Sequence, residues 1–171
     1  MDRNNAIFRH WGVFSELANP VQSEYFKRKI KVGKTIKCVK LEDVFTRDEI
    51  AHKIIPYVRA EKNMCFRTAY RLTNLFPDRV KYVEGEVEVL NGGLGIEHAW
   101  NLVDGEHYVD LTFELALGED VTTQTYVALG AYDVDVIRDV ACETMVYGGV
   151  YDRLYLREIK NKKSKTKKTR K

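Results

Sequence analysis

The stretch Asn63-Met64-Cys65-Phe66-Arg67-Thr68-Ala69-Tyr70 decides how the rest of the chain is read. Asn63 is a good helix N-cap. Cys65, Ala69, Leu72 and Phe76 follow at i, i+4, i+7 and i+11, one stripe of a helix that Pro77-Asp78 stops. Cys65 then lies in the first turn, at the end of the buried face, where open backbone N–H groups and the helix dipole favour an anionic sulfur. Downstream, Glu97-His98-Ala99-Trp100-Asn101 and Tyr108-Val109-Asp110-Leu111-Thr112 flank Asp104-Gly105. A thiol nucleophile needs a base, and the base needs a partner that holds its tautomer. Cysteine, histidine and aspartate in this order suffice for nucleophilic acyl chemistry.

Register decides whether His98 and Asp110 meet. A two-residue loop at Asp104-Gly105 pairs Val103 with Glu106 and sends the two side chains to opposite faces. A three-residue loop Val103-Asp104-Gly105, with glycine left-handed, pairs Leu102 with Glu106 and His98 with Asp110. Directly opposed Cβ atoms lie about 4.5–5.5 Å apart, so an Asp carboxylate there can hold the imidazole. The triad requires the second loop or an equivalent bulge.

Working outward, Val80 and Tyr82 share one parity of a strand and Val87 and Val89 the other, which predicts a bulge at Gly85. Asn91-Gly92-Gly93 reads as a turn, and the next strand runs from Leu94 to Val103. Phe8, Trp11, Phe14 and Leu17 predict a short helix ended near Asn19-Pro20. Ile30, Val32, Ile36 and Cys38 keep one parity across Gly33-Lys34, which predicts a basic hairpin with Cys38 facing the core. Thr46-Arg47-Asp48-Glu49 is a capping box opening a helix that Pro56 kinks or ends. Tyr126–Leu129 reads as strand and 133–145 as a helix capped by Asp133, with Cys142 as core filler; 150–159 reads as helix or strand. The string Gly33-Lys34-Thr35 is no phosphate loop, because the required glycine five residues earlier is Arg28.

The 171 residues suit one domain at 1–159, with a helix and hairpin elaboration at 1–45 and a core at 46–159. Of 28 Lys and Arg residues, eight lie in Lys160–Lys171, which leaves 20 against 25 acidic groups elsewhere. The body is thus acidic, and 160–171 reads as a disordered basic tail. In that tail Lys162, Lys163, Lys165, Lys167, Lys168 and Arg170 suit nonspecific contact with nucleic acid or another polyanion. No apolar run of membrane-spanning length or signal-peptide core is present, so a cytoplasmic protein without membrane contact is expected. Three scattered cysteines argue against a disulfide framework. Cys38, Cys65, Cys142, His98 and His107 show no finger-like spacing, so neither metal nor other cofactor is expected.

Cys65-x-x-x-Ala69 on a helix, His98-Ala99-Trp100-Asn101 on a strand and Asp110-Leu111-Thr112 on the next resemble the transglutaminase-like branch of the papain-like cysteine fold. With Tyr82-Val83-Glu84-Gly85, the set looks particularly like small bacterial and phage members. The resemblance covers roughly residues 60 to 132. It implies an α+β fold with the cysteine-bearing helix packed on an antiparallel sheet, Cys65 as nucleophile, His98 as base and then acid, and Asp110 as orienter. It also places Glu84 near the triad or substrate, where Glu84 read alone is an exposed strand carboxylate. Asn63 stands where such domains often carry glycine, and Asp110-Leu111-Thr112 where Asp-Pro-Thr is common. The implied activity is amide or isopeptide acyl transfer on a protein or peptide, as hydrolase, deamidase or transferase. The Cys65 N–H and the Asn63 side-chain amide are the candidate oxyanion donors, and Trp100 would wall the site. The rival reading is a noncatalytic binding protein that engages nucleic acid or a protein partner with help from the basic tail.

Overall fold

Asn5 opens the chain's first helix: its side chain accepts from Phe8 N at 3.1 Å, and α1 (Ala6–Leu17) buries Ile7, Phe8 and Trp11. This computed structural model describes residues 5–89 and 94–168, with side chains left out at Leu94 and from 163 onward. The turn expected at Asn91-Gly92-Gly93 lies outside the described residues.

The basic hairpin expected across Gly33-Lys34 does not form. Asn19-Pro20 ends α1 but also starts α2 (Pro20–Val32), because Asn19 Oδ1 accepts from Val21 N and Gln22 N at 3.1 Å and proline is tolerated in a first helical turn. Ile30 and Val32 are therefore helical. Gly33 follows because a Cβ there would lie 2.8 Å from Lys29 O and 2.9 Å from the Trp11 ring. Only the second half is strand, β1 (Lys34–Ile36), paired antiparallel with Tyr126–Ala128. Cys38 does face the core, 2 % exposed.

The α2 helix is locked to the sheet by a buried ion pair that its charge pattern does not announce. Lys29 Nζ donates to Glu86 Oε1 at 3.0 Å, Trp11 Nε1 donates to the same oxygen at 2.7 Å, and Lys29 lies over the Trp11 and Tyr25 rings. Removing one partner of a buried pair costs about 3–5 kcal/mol. Glu86 keeps its Trp11 bond, so Lys29→Ala is expected to lose about 3 kcal/mol in urea unfolding. A loss under about 1 kcal/mol, typical of surface pairs, would contradict the buried pair.

After a 3₁₀ turn at Leu41–Asp43, the Thr46–Glu49 capping box opens α3 (Arg47–Glu49) as expected. It widens into a π-helical turn, Ile50–Ile54, before α4 (Ile55–Val58). Pro56 cannot donate to the ladder and its ring crowds the carbonyl of His52, so the helix breaks into these pieces and ends at Arg59, with φ 49°. Helix α5 is Cys65–Leu75, followed by β2 (Val80–Val89), β3 (Leu94–Val103) and β4 (His107–Val109). A π-helical segment, Thr112–Leu117, then leads to β5 (Tyr126–Tyr132), α6 (Val134–Thr144) and α7 (Val150–Lys168).

The α+β chain thus builds one antiparallel sheet in the order β1-β5-β2-β3-β4. The sheet is curled so far that its two ends meet: Cys38, beyond β1, bridges Tyr108 of β4, and Val39 N donates to Tyr108 O at 2.8 Å. Inside the curl Cys38, Val83, Val87, Trp100, Phe113 and Tyr126 pack together. On the outside Tyr82 and Ala99 pack against Ala69, Ile137 and Val140 of the helices, and Val80 and Val103 against Leu72. Both parities of β2 are apolar because both faces are covered, which corrects the reading of a facing reversal at Gly85. β2 and β3 pair without interruption from Val80↔Val103 to Val89↔Leu94. The irregularity belongs to β5, where Leu129 is extra opposite Glu84-Gly85.

Two further expectations change. Cys142 is exposed on α6, whose buried residues are Ile137 and Val140, so it fills no core. The segment 160–168, expected to be disordered, continues α7, since it holds neither Gly nor Pro and is rich in helix-favouring Lys. Of the polyanion candidates, Lys162, Lys163, Lys165, Lys167 and Lys168 thus lie on helical backbone, and Arg170 lies outside the described residues. Among the described residues no helix is long and apolar enough to cross a membrane.

Candidate active site

The turn before α5 sets Cys65 in place. Met64 N donates to Glu61 O at 3.2 Å, and Asn63 occupies the third turn position with φ 62°. Left-handed backbone there suits glycine or asparagine. Asn63 therefore is not the N-cap expected from its identity: it shapes the turn, and Met64 takes the cap position without a side-chain bond. The same conformation explains why asparagine can stand where the resemblance expects glycine. Cys65, Ala69 and Leu72 form the buried stripe, with Cys65 8 % exposed. The Met64 side chain makes no capping bond, so among the described residues the first-turn N–H groups are left as donors.

The hairpin adopts neither of the two registers considered. Val103 pairs with His107, Leu102 with Tyr108 and Asn101 with Val109, so the loop is Asp104-Gly105-Glu106, with Asp104 at φ 52° and Gly105 at φ 75°. Relative to direct opposition, Asp110 is displaced by two residues along the strand, which preserves the face it shares with His98. Because β4 stops at Val109, β3 has no strand neighbour on that side at His98 among the described residues. Asp110 leaves the ladder there and reaches across: His98 Nε2 donates to Asp110 Oδ2 at 2.7 Å.

Asp110 holds four donors at once. Tyr126 OH donates to Oδ2 at 3.1 Å, and Thr112 N and Phe113 N donate to Oδ1 at 3.0 and 3.1 Å. One carboxylate therefore caps the π-helical segment and fixes the imidazole. The Asp-x-Thr spacing gains a local reason: the carboxylate reaches the N–H groups two and three residues on. Tyr126 escaped the sequence reading because its phenol comes from β5, distant in sequence, and only its strand pattern was visible.

With Nε2–H committed to Asp110, Nδ1 is the nitrogen left for Cys65, which lines the same cleft as His98 and acts on the imidazole electrostatically. Burial alone would drive the imidazolium pKa down. The Asp110 charge and hydrogen bond, then those of Cys65, outweigh burial and raise it from the usual 6.5 to about 10. An imidazole that basic can take the proton of an ordinary thiol, whose pKa is about 8.5. Burial, seconded by the Asp110 charge, pushes the Cys38 thiol up and out of nucleophilic range.

Ring packing immobilises the His98 imidazole. Trp100, 1 % exposed, stacks on His98 with centroids 6.0 Å apart, and Phe113 meets it edge-on at 5.0 Å. Trp100 is thus core that backs His98, and it does not line the cleft onto which His98 opens. Gly85 lies opposite His98 because a Cβ would sit 2.0 Å from Val127 O and 2.8 Å from the Trp100 ring. Cys65 and His98 open onto a cleft of about 620 Å³, with Asn63 exposed at its rim and Thr112 in its wall.

Glu84 is neither an exposed strand carboxylate nor a triad partner. It is 5 % exposed, and its oxygens accept from Val150 N at 3.1 Å, Tyr151 N at 2.8 Å and Tyr82 OH at 2.8 Å, capping α7. Burial raises its pKa, against those three bonds. Among the described residues no group of three or more His, Cys, Asp or Glu is placed to hold a metal ion.

No protein-family model, no curated protein and no solved structure matches this chain.

Proposed function

We propose that the chain is a cysteine-dependent acyl-transfer enzyme of transglutaminase-like type, acting on an amide or isopeptide bond of a protein or peptide with Cys65, His98 and Asp110 as its triad. The observation that carries this reading is one buried imidazole held by the Asp110 carboxylate at 2.7 Å while it lines the same cleft as the Cys65 thiol at the start of α5. His98 Nδ1 takes the Sγ proton, and sulfur attacks the carboxamide carbon. The C–N bond breaks as His98 returns that proton to the leaving amine or ammonia, giving an acyl-thioester. Water or an amine then attacks, gives its proton to His98, and the C–S bond breaks to restore the thiolate. The Cys65 N–H and the exposed Asn63 amide stand as oxyanion donors, of a kind whose single loss costs about 3–4 kcal/mol in other acyl enzymes.

The test is a library of glutamine-containing peptides, read by intact mass for an acyl adduct on Cys65 and for released ammonia. Adduct and release that vanish in Cys65→Ala are the expected result. Their absence, with full binding function retained in Cys65→Ala and lost on deleting 160–171, would support the rival reading. That reading draws on the Lys-rich end of α7.

A further inference from the structure

The cleft beside Cys65 has a wall of carboxylates. Glu88, Glu97 and Glu119 line it, and among the described residues no Lys or Arg does; the one cationic group in the lining, His98, is paired with Asp110. Among the described residues Glu88 and Glu119 form no ion pair. Glu97 has one contact, 3.9 Å to Lys29 Nζ, but that lysine is 4 % exposed and bound at 3.0 Å to Glu86, so the Glu97 side chain stays 69 % exposed. A cleft walled by one sign of charge concentrates the opposite sign and repels its own. The same wall repels phosphate-bearing polymers.

A second observation points to a ligand independently. Thr112, 3 % exposed, also lines the cleft, and its Oγ1 has no hydrogen-bond partner although it is buried. A buried hydroxyl left unpaired is costly and is normally satisfied. Its backbone N–H is already held by Asp110, so the hydroxyl is the group left over. Nearby Thr123, Gln124 and Thr125 add uncharged hydrogen-bonding groups. About 620 Å³ is room for several residues of an extended peptide and falls within the usual size of ligand sites.

We propose that this cleft takes a lysine- and arginine-rich polypeptide segment, whose cationic side chains pair with Glu88, Glu97 and Glu119 while a backbone polar group meets the Thr112 hydroxyl. This specifies the substrate class of the site proposed above and rests on that reading for the role of the cleft, but binding can be tested without chemistry.

The probe is a fluorescein-labelled Lys/Arg-rich dodecapeptide and its counterpart with every Lys and Arg replaced by Gln, titrated by fluorescence anisotropy into the full chain carrying Cys65→Ala. The basic peptide is expected to bind at least tenfold more tightly than the neutral one. The combined variant Glu88→Gln, Glu97→Gln, Glu119→Gln should lose tenfold or more of that affinity. The control Glu16→Gln, Glu24→Gln, Glu106→Gln, with the same charge change outside the cleft, should lose less than twofold. Thr112→Val should weaken the peptide several-fold with no drop in urea midpoint, since it keeps the N–H to Asp110. Equal binding of the two peptides, or an equal loss in the control, overturns the proposal. Should the thioester never form in the wild-type chain while the basic peptide still binds through the three carboxylates, the catalytic reading fails and the binding inference stands.

Discussion

Asp110→Ala is expected to destabilise the fold by about 3–5 kcal/mol, the range for removing one partner from a buried charged network. Asp110 is fully buried and accepts from His98, Tyr126, Thr112 N and Phe113 N. The substitution leaves a phenol, an imidazole N–H and two backbone donors with no acceptor, and each orphan carries its own desolvation penalty. Asp110→Asn keeps two amide-oxygen bonds and should cost less, while still removing the charge that holds His98. Urea unfolding of both variants checks the order. An Asp110→Ala cost below about 1 kcal/mol would show that water reaches the network.

The second large effect is on pH. The folded pKa of His98 is raised above its ordinary 6.5 to about 10. A group whose folded pKa is raised binds more protons in the native state, so its stabilisation is fully present below about 6.5 and is lost as pH rises through the window to about 10. Stability should therefore decline from neutral pH toward pH 10. Cys38 adds the same sign once an unfolded thiol ionises, above about 8.5. The His98 share is separable by the ring resonances of that residue, assigned with His98→Gln. A charged ring persisting well above pH 8 in the native protein, and lost at lower pH in Asp110→Asn, is the expected result. A His98 ring neutral at pH 7 would contradict it.

The elements that carry the site were legible because each has a local cause. The Cys65-Ala69-Leu72 stripe, the stop at Pro77, the two strands and the return at Asp104-Gly105 all follow from periodicity and turn chemistry. What failed needed information from across the fold. Ile30 and Val32 share a parity that fits a strand, but the cap and proline at Asn19-Pro20 win and make them helical. The hairpin register slid two residues from the one that opposes His98 and Asp110 because the chain takes Glu106 into the loop. Its consequence survived, since the slide preserved the shared face and Asp110 could cap the next segment. Glu84 and Lys29 look like surface charges in sequence, and only the α7 N-terminus and Glu86 explain their burial. Asn63 was read by its capping preference, when its tolerance of positive φ was what the turn required.

The central claim is an activated thiol at Cys65, and three cysteines in one chain provide internal controls. The measurement is the rate of iodoacetamide alkylation at each cysteine against pH, read by mass spectrometry on the native protein. Cys142 is exposed, Cys38 is buried with its thiol pushed up, and Cys65 is only 8 % exposed. The account predicts that Cys65 reacts at least tenfold faster than Cys142 near neutral pH despite its burial, that Cys38 stays inert, and that His98→Ala removes the advantage of Cys65. A Cys65 slower than Cys142 at pH 7, or unaffected by His98→Ala, would contradict it.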